Sequence, residues 1–215
     1  MSEELSLRER KKRETRQRIS DTAMGLFMQH GFDKVTVADV ARAADVSVNT
    51  VFNYFKTKED LFLDRRDAAE DYLARVVRER PPGVSALHAI RDDFLDAART
   101  QHWRYGFNAG ADWFARLIAE SPTLTARITQ LHETREELLA TALADAADAE
   151  PDDLTPRVIA AQINAVLRVL TQQAHDRRRA GEPWEDILPD TQKAAERAFA
   201  LLEDGVADYP GRSSR

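Results

Sequence analysis

The 215-residue chain contains no cysteine, which excludes a disulfide framework and any zinc site built on thiolates. It has no apolar run long enough to cross a bilayer, and its charged beginning lacks the apolar core of a signal peptide. It also has no glycine-rich phosphate loop and no Gly-x-Ser-x-Gly segment. We therefore expect a soluble, cytoplasmic protein that binds no cofactor and has no membrane partner.

The histidines are scattered along the chain, and no close pair of them could chelate a metal. His132-Glu133 begins like the helix motif of zinc proteases, but residue 136 is glutamate, so the second imidazole is missing. An all-α enzyme or metalloprotein is therefore the least favoured class of protein. The sequence suggests no catalytic residue and no metal ligand.

Charge is distributed unevenly between the two ends of the chain. Residues 1–66 contain 13 Lys/Arg against 11 Asp/Glu, a net charge of +2, whereas the remaining 149 residues contain 18 against 26, a net charge of −8. Positive potential is thus concentrated in the N-terminal third, which is expected of a protein that touches a polyanion with one end only.

Helical periodicity covers the chain and strand-like alternation is missing, so the sequence predicts an all-α fold of about nine helices. Three helices precede a long one at 58–80, which Pro81-Pro82-Gly83 would end. The remaining helices are predicted at roughly 85–100, 103–119, 122–149, 154–180 and 189–207. We expect an N-terminal domain over 1–57, a helical domain over 58–208 and a flexible tail over 209–215.

Residues 36–58 predict two short helices joined by a tight turn. Thr36 can cap the first helix together with Asp39, and Ser47 can cap the second. Val51 and Phe55 are four residues apart and can face the first helix. The second helix then leaves a free face, formed by Val48, Asn49, Thr50, Phe52 and Asn53.

This arrangement is typical of a helix-turn-helix, in which the beginning of the second helix reaches base edges in the major groove of DNA. Asparagine can contact adenine with two hydrogen bonds, and valine or phenylalanine can touch a thymine methyl group. A two-helix corner of an ordinary all-α protein would show a similar pattern, but the flanking sequence favours DNA binding. Residues 8–18 carry seven basic and two acidic side chains, which suits phosphate contact or entry into the minor groove.

The first 65 or so residues resemble the DNA-binding domain of the TetR family of bacterial transcription regulators. The resemblance rests on a first helix that ends in a Gly-Phe pair and on motifs at fixed spacing after it. These are Gly31-Phe32, Thr36-Val37, Val40-Ala41, Val46-Ser47, Thr50-Val51-Phe52-Asn53-Tyr54-Phe55 and Thr57-Lys58-Glu59-Asp60-Leu61.

The resemblance implies roles for individual residues. Thr36 and Tyr54 would hold phosphates on either side of the groove, and Lys58 would neutralise another. Asn53 and Val48 would be base readers, with Asn49 and Thr50 at the DNA surface. The full predicted contact set is Arg13, Thr36, Ser47, Val48, Asn49, Thr50, Phe52, Asn53, Tyr54 and Lys58. Phe52, Asn49 and Val48 depart from the residues common in the family, so the operator sequence does not follow from the resemblance.

The later helices suggest two further sites. Wide apolar arcs predict a four-helix contact between two subunits, through Ile159, Ile163, Val166, Leu170, Ala198 and Leu202, although burial in one domain's own core would give the same pattern. The family dimerises through its last helices and binds palindromic operators. Aromatic and polar residues that suit a small-molecule pocket, or equally an ordinary core, are Phe94, His102, Trp103, Phe107, Asn108 and Trp113.

The resulting hypothesis is a homodimeric regulator of transcription, by analogy a repressor, whose affinity for double-stranded DNA responds to a small-molecule effector. The alternative is a helical module that binds proteins and not DNA. Salt dependence separates the two, because binding through several phosphates weakens steeply as salt rises.

Overall fold

The computed structural model describes residues 7–67, 71–108 and 110–206 of the chain. Over these residues it contains helices and no strand, which confirms the all-α prediction. One 3-10 turn (Trp103–Tyr105) accompanies ten α-helices, one more than expected. The helices are α1 (Leu7–His30), α2 (Val37–Ala43), α3 (Val48–Tyr54), α4 (Lys58–Asp67), α5 (Tyr72–Glu79), α6 (Ala86–Arg99), α7 (Ala111–Glu120), α8 (Pro122–Ala147), α9 (Thr155–Arg179) and α10 (Trp184–Val206).

The chain divides into two compact units, as far as their ranges are described. The first spans Met1–Ala68 and Ala115–Arg127, and the second spans Ala69–Phe114 and Ile128–Arg215. The first unit extends beyond the predicted boundary after residue 57 because α4 packs on α1. It also takes a segment from the middle of the chain, which the sequence did not indicate.

Three buried phenylalanines organise the first unit. Gly31 ends α1 with a φ of 82°, and Phe32 then folds back so that its ring centroid lies 5.0 Å from that of Phe27. Phe62 of α4 packs against both rings, at 6.0 Å from Phe27 and 5.7 Å from Phe32. α2 packs on α1 and α3 packs on α2. The predicted end of α1 is therefore confirmed, and its cap leads into the core.

The second unit is a helical bundle in which α10 packs on α6 and α9, and α5 packs on α6. Its core includes Leu87, Ile90, Phe94, Ile163 and Ile187, all fully buried. Within the described residues, no helix of either unit is both long enough and apolar enough to span a membrane.

Three helix predictions need correction. The helix expected over 58–80 appears as α4 and α5, and residues 68–70 between them lie outside the described part of the chain. The helix expected over 103–119 is a 3-10 turn followed by α7, because Gly106 and Gly110 adopt left-handed φ values of 74° and 95°. α10 begins at Trp184, ahead of Pro189, which lies inside the helix. The predicted tail at 209–215 is likewise outside the described residues.

Candidate nucleic-acid interface

The start of α2 is held by the predicted capping box. Thr36 Oγ1 accepts a hydrogen bond from the Asp39 amide at 3.1 Å, and Asp39 Oδ2 accepts from the Thr36 amide at 3.0 Å and from the Thr36 hydroxyl at 2.6 Å. These bonds to Thr36 lower the pKa of the Asp39 carboxyl. The Thr36 hydroxyl already donates its hydrogen to Asp39. It could therefore donate to a phosphate only if that hydrogen bond were broken.

The turn and the start of α3 are equally well defined. Asp45 takes a left-handed φ of 53°, and the Val46 amide donates to the Ala41 carbonyl at 2.9 Å. Ser47 Oγ then accepts from the Thr50 amide at 3.0 Å and lies 2.8 Å from Thr50 Oγ1. Ser47 is therefore the predicted N-cap, and its hydroxyl and that of Thr50 are paired with each other.

The free face of α3 consists of two pairs of residues four positions apart. Val48 and Phe52 are 38% and 49% exposed, and Asn49 and Asn53 are also exposed. Side chains with this spacing lie one turn apart on the same side of a helix. The opposite side carries Val51, which is fully buried as expected. The structure thus brings two apolar and two amide side chains together on one outward face.

The basic candidates differ in what they contact. Arg13 lies exposed on α1, and Tyr54 is half-buried at the end of α3. The Lys58 ammonium, by contrast, donates to the carbonyls of Phe32 and Val35 at 3.1 Å and 3.2 Å and lies 4.2 Å from the centroid of the Phe32 ring. Two of its three N–H groups therefore hold the loop that leads to α2.

Arg16 makes contacts that the sequence did not single out from the basic run. Its Nη1 donates to the Tyr54 carbonyl at 2.8 Å, and its Nε and Nη2 donate to Asp64 Oδ1 at 2.9 Å and 2.5 Å. Its guanidinium carbon also lies 4.5 Å from the centroid of the Phe55 ring. No local pattern could have revealed these contacts, since Arg16 and Asp64 are 48 positions apart.

The six residues predicted to line a pocket do not share one environment. Phe94 and Phe107 are fully buried, with ring centroids 5.6 Å apart, and belong to the packed core. His102 accepts a hydrogen bond from the Arg104 amide at 3.1 Å and so caps the 3-10 turn. Trp103 is 42% exposed, and Asn108 and Trp113 are half-buried.

A polar cluster that the sequence missed lies beside these aromatic rings. Asp93 Oδ1 pairs with the Arg104 guanidinium at 2.8 Å, and its Oδ2 accepts from the Tyr105 hydroxyl at 3.0 Å. Desolvation raises the pKa of Asp93, although Arg104 and Tyr105 act in the opposite direction. Burial likewise raises the pKa of Tyr72, whose ring packs on that of Tyr105 at 5.6 Å. The second unit therefore contains an Asp93–Arg104 ion pair next to the packed rings of Tyr72, Phe94 and Tyr105.

The predicted subunit contact on α9 is corrected by burial. Ile159, Ile163 and Leu170 point into the core of their own chain and are at most 4% exposed, so they are not available to a second chain. Val166, Ala198 and Leu202 pack partly against the same core. Among the described side chains of α9 and α10, the large apolar ones that are exposed are Val158, Val169 and Leu201, at 52%, 58% and 83%.

Comparison with known proteins identifies the family. The pattern of bacterial regulatory proteins of the tetR family matches residues 19–64, and that of the MftR C-terminal domain matches residues 84–207. The HTH-type transcriptional regulator TcmR of Streptomyces glaucescens is 32% identical over 174 residues, which cover 78% of this chain and 76% of TcmR. The chain belongs to the TetR family.

Solved structures of TetR-family regulators show the same fold. NalD, the secondary repressor of the MexAB-OprM multidrug efflux pump in Pseudomonas aeruginosa, superposes with a TM-score of 0.59 at 19% identity, covering 87% of this chain and 96% of NalD. SmeT, in its complex with triclosan, gives a TM-score of 0.57 at 18% identity, with 94% and 99% covered. This TetR-family chain is a DNA-binding regulator of transcription, as its helix-turn-helix predicted. Its relatives are regulators, which favours that class over an enzyme.

Proposed function

We propose that this regulator is a cytoplasmic, dimeric repressor that binds a palindromic operator through α3 of each subunit. The observation that carries the proposal is the outward face of α3, where Val48, Asn49, Phe52 and Asn53 are all exposed. A phenylalanine ring that is 49% exposed contributes little to the chain's own core. A major groove supplies the apolar partner that such a ring lacks, in the methyl groups of thymine.

Each side chain on this face has a matching chemistry in the groove. The amides of Asn49 and Asn53 can donate to N7 and accept from N6 of adenine, and Val48 and Phe52 can contact thymine methyl groups. The half-sites are thus expected to be rich in A·T pairs. Phosphate contacts come from Arg13, from Tyr54 and from the one Lys58 N–H that does not hold the loop, with Thr36, Ser47 and Thr50 at the groove edge.

Two reading helices require two subunits. We place the contact between subunits on the exposed apolar residues of α9 and α10, namely Val158, Val169 and Leu201, which the chain itself leaves uncovered. The first two lie eleven residues apart, about three helical turns, and so share one side of α9. Two subunits related by a two-fold axis match the symmetry of a palindromic operator, in which one α3 helix is needed for each half-site.

A small-molecule effector completes the proposal. Effector binding is typical of the family, and the structural neighbour SmeT has been solved with triclosan bound. In this chain the aromatic rings around Asp93 and Arg104 offer apolar walls with a few polar groups, which is the composition of a small-molecule site. Such a ligand changes operator affinity only if it binds the DNA-competent and DNA-incompetent conformations differently.

The experiment that tests the operator proposal is selection of bound sequences from random duplex DNA at near-physiological salt. A palindrome with half-sites about one helical turn apart, roughly 34–36 Å, is the expected result. Asn53→Ala should relax base preference at one position in each half-site, by about 1–3 kcal/mol for the best base over the others. Gln29→Ala, an exposed polar change on α1, is the matched control and should leave the selected sequence unchanged.

The sequence selection, repeated at several salt concentrations, also distinguishes an operator-binding regulator from a protein-binding module. If no sequence is enriched and binding to duplex DNA does not weaken with salt, the operator proposal is wrong and the protein-binding module takes its place. If a palindrome is enriched but Asn53→Ala lowers affinity for all sequences equally, the protein is a sequence-specific regulator in which Asn53 does not contact a base.

A further inference from the structure

Arg16 connects the first helix to the end of the reading helix. Its Nη1 donates to the carbonyl of Tyr54, the last residue of α3, at 2.8 Å. The last four carbonyls of a helix have no partner inside it, and a cation beside them also suits the negative end of the helix dipole. Phe55, the next residue, leaves the helix with a φ of −136°, and its ring lies 4.5 Å from the guanidinium carbon. Arg16 therefore contacts α3 where that helix ends.

Asp64 of α4 holds the guanidinium in this orientation. Two nitrogens of Arg16, Nε and Nη2, donate to Asp64 Oδ1 at 2.9 Å and 2.5 Å, and the Asp64 side chain is only 11% exposed. A guanidinium is planar, so bonding one edge to a carboxylate determines the direction of the remaining N–H groups. In this chain that direction leads to the Tyr54 carbonyl.

These contacts distinguish Arg16 from Arg13 on the same helix. Its positive charge is compensated by a largely buried carboxylate, and all three of its nitrogens are engaged within the protein. Arg13 lies exposed on the same helix. A cation that is already neutralised by a near neighbour releases few DNA counterions, and counterion release is what makes phosphate contacts favourable.

We propose that Arg16 is a positioning residue for the recognition surface and not a phosphate contact, and that Asp64 orients it. The inference rests on the proposed operator-binding role of α3. Arg16 belongs to α1, and its guanidinium bonds both to the end of α3 and to α4. It thereby sets the position of α3, and therefore of Asn53, one residue before Tyr54. A reading helix that is free to shift loses base recognition first, because base contacts demand precise geometry and phosphate contacts do not.

The test compares Arg16→Ala with Arg13→Ala, measuring the dissociation constant for the selected operator and for unrelated duplex DNA over a range of salt. Positioning predicts that Arg16→Ala weakens operator binding by about tenfold, leaves unrelated DNA almost unaffected and keeps the salt slope. A phosphate contact predicts that both DNAs are weakened alike and that the slope decreases by about one, as we expect for Arg13→Ala. The second pattern for Arg16→Ala would overturn the inference.

Asp64→Asn gives a prediction of opposite sign under the two roles. If Arg16 is a positioning residue, removing the charge that orients it weakens operator binding in the same direction as Arg16→Ala. If Arg16 contacts phosphate, removing its neighbouring negative charge strengthens DNA binding. Arg16→Lys keeps the charge but not the planar fork, so it should resemble Arg16→Ala on the operator. A lysine variant with wild-type operator affinity contradicts the positioning role.

A measurement without DNA separates failure of this inference from failure of the operator proposal. Amide hydrogen exchange in α3 should be faster in Arg16→Ala and Arg16→Lys than in the wild type and in Arg13→Ala, while α9 and α10 stay protected. Equal exchange in all four proteins overturns the inference even if no operator is found. Protected α9 and α10 show that the second unit of the variants is folded, and slow exchange around the buried Phe27 of α1 shows the same for the first unit.

Discussion

At the scale of single residues, the type of a side chain did not determine its role in this protein. Lys58 and Arg16 both lie in segments where a basic residue near DNA suggests a phosphate contact. In the structure, the Lys58 ammonium holds the carbonyls of Phe32 and Val35, and the Arg16 guanidinium holds Asp64 and the end of α3. Each cation bonds to polar groups of its own chain, so its loss affects the shape of the interface as well as its charge.

Two glycines of the same helix region show how the backbone decides the effect of one substitution. Gly31 has a φ of +82°, whereas Gly25 lies inside α1, and a Cβ added at either position would meet no atom within 4 Å. Gly31→Ala should therefore lower the free energy of unfolding by about 1–2 kcal/mol, from left-handed backbone strain alone. Gly25→Ala should raise it by about 0.5–1 kcal/mol, because alanine is the better helix former. Urea unfolding followed at 222 nm measures both, and equal signs for the two variants would contradict this account.

At the scale of helices, local signals were predictable and distant partners were not. The end of α1 at Gly31, the capping box at Thr36 and the cap at Ser47 each depend on residues within four positions, and the structure confirms all three. The break between the 3-10 turn and α7 depends on left-handed φ values at Gly106 and Gly110, which a glycine permits but does not require.

The face of α9 shows the limit of periodicity. The sequence contains two adjacent apolar stripes, and helical spacing alone does not tell which one faces the core. Packing of α10 against α6 and α9 decides it, by burying Ile159 and Ile163 and leaving Val158 and Val169 exposed. The Arg16–Asp64 and Asp93–Arg104 pairs were beyond prediction for a similar reason, since only the folded chain brings their members together.

The uncovered stripe of α9 gives a prediction about assembly. Val169→Glu places one carboxylate from each subunit in the proposed contact, and a charge without a partner at such a site is costly. The dissociation constant of the dimer should increase at least about 100-fold. Gln130→Glu adds the same charge at an exposed site on α8 and serves as the control. Sedimentation at several concentrations measures both, and a dimer unaffected by Val169→Glu places the subunit contact on another surface.

At the scale of the whole molecule, the DNA-binding unit is not a continuous stretch of sequence. Ala115–Arg127 belongs to the first unit together with Met1–Ala68, and two contacts within that unit explain the assignment. Ser121 is 1% exposed, and its hydroxyl donates to Asp33 Oδ1 at 2.8 Å. Arg127 pairs with Asp60 at 3.4 Å. Asp33 lies in the loop before α2, so this distant segment bears directly on the helix-turn-helix.

A fragment that ends at residue 68 should therefore be much less stable than the same residues in the full chain. It lacks the Ser121 hydrogen bond, worth about 1 kcal/mol, and the buried side chain of Leu124, worth about 1.5–3 kcal/mol. Against a total stability of about 5–15 kcal/mol for a domain, these losses are large. Hydrogen exchange in α1 and α4 should be faster in the fragment than in the full chain.

Ser121→Ala in the full chain should show a smaller change in the same direction, whereas Thr141→Ala, an exposed change on α8, should show none. If the fragment exchanges as slowly as the full chain, Met1–Ala68 folds by itself, and the contacts of Ser121 and Arg127 do not stabilise the DNA-binding unit. If it exchanges faster, the middle of the chain is part of the structure that holds α3 in place, and a ligand or substitution near residues 115–127 has a direct physical route to operator affinity.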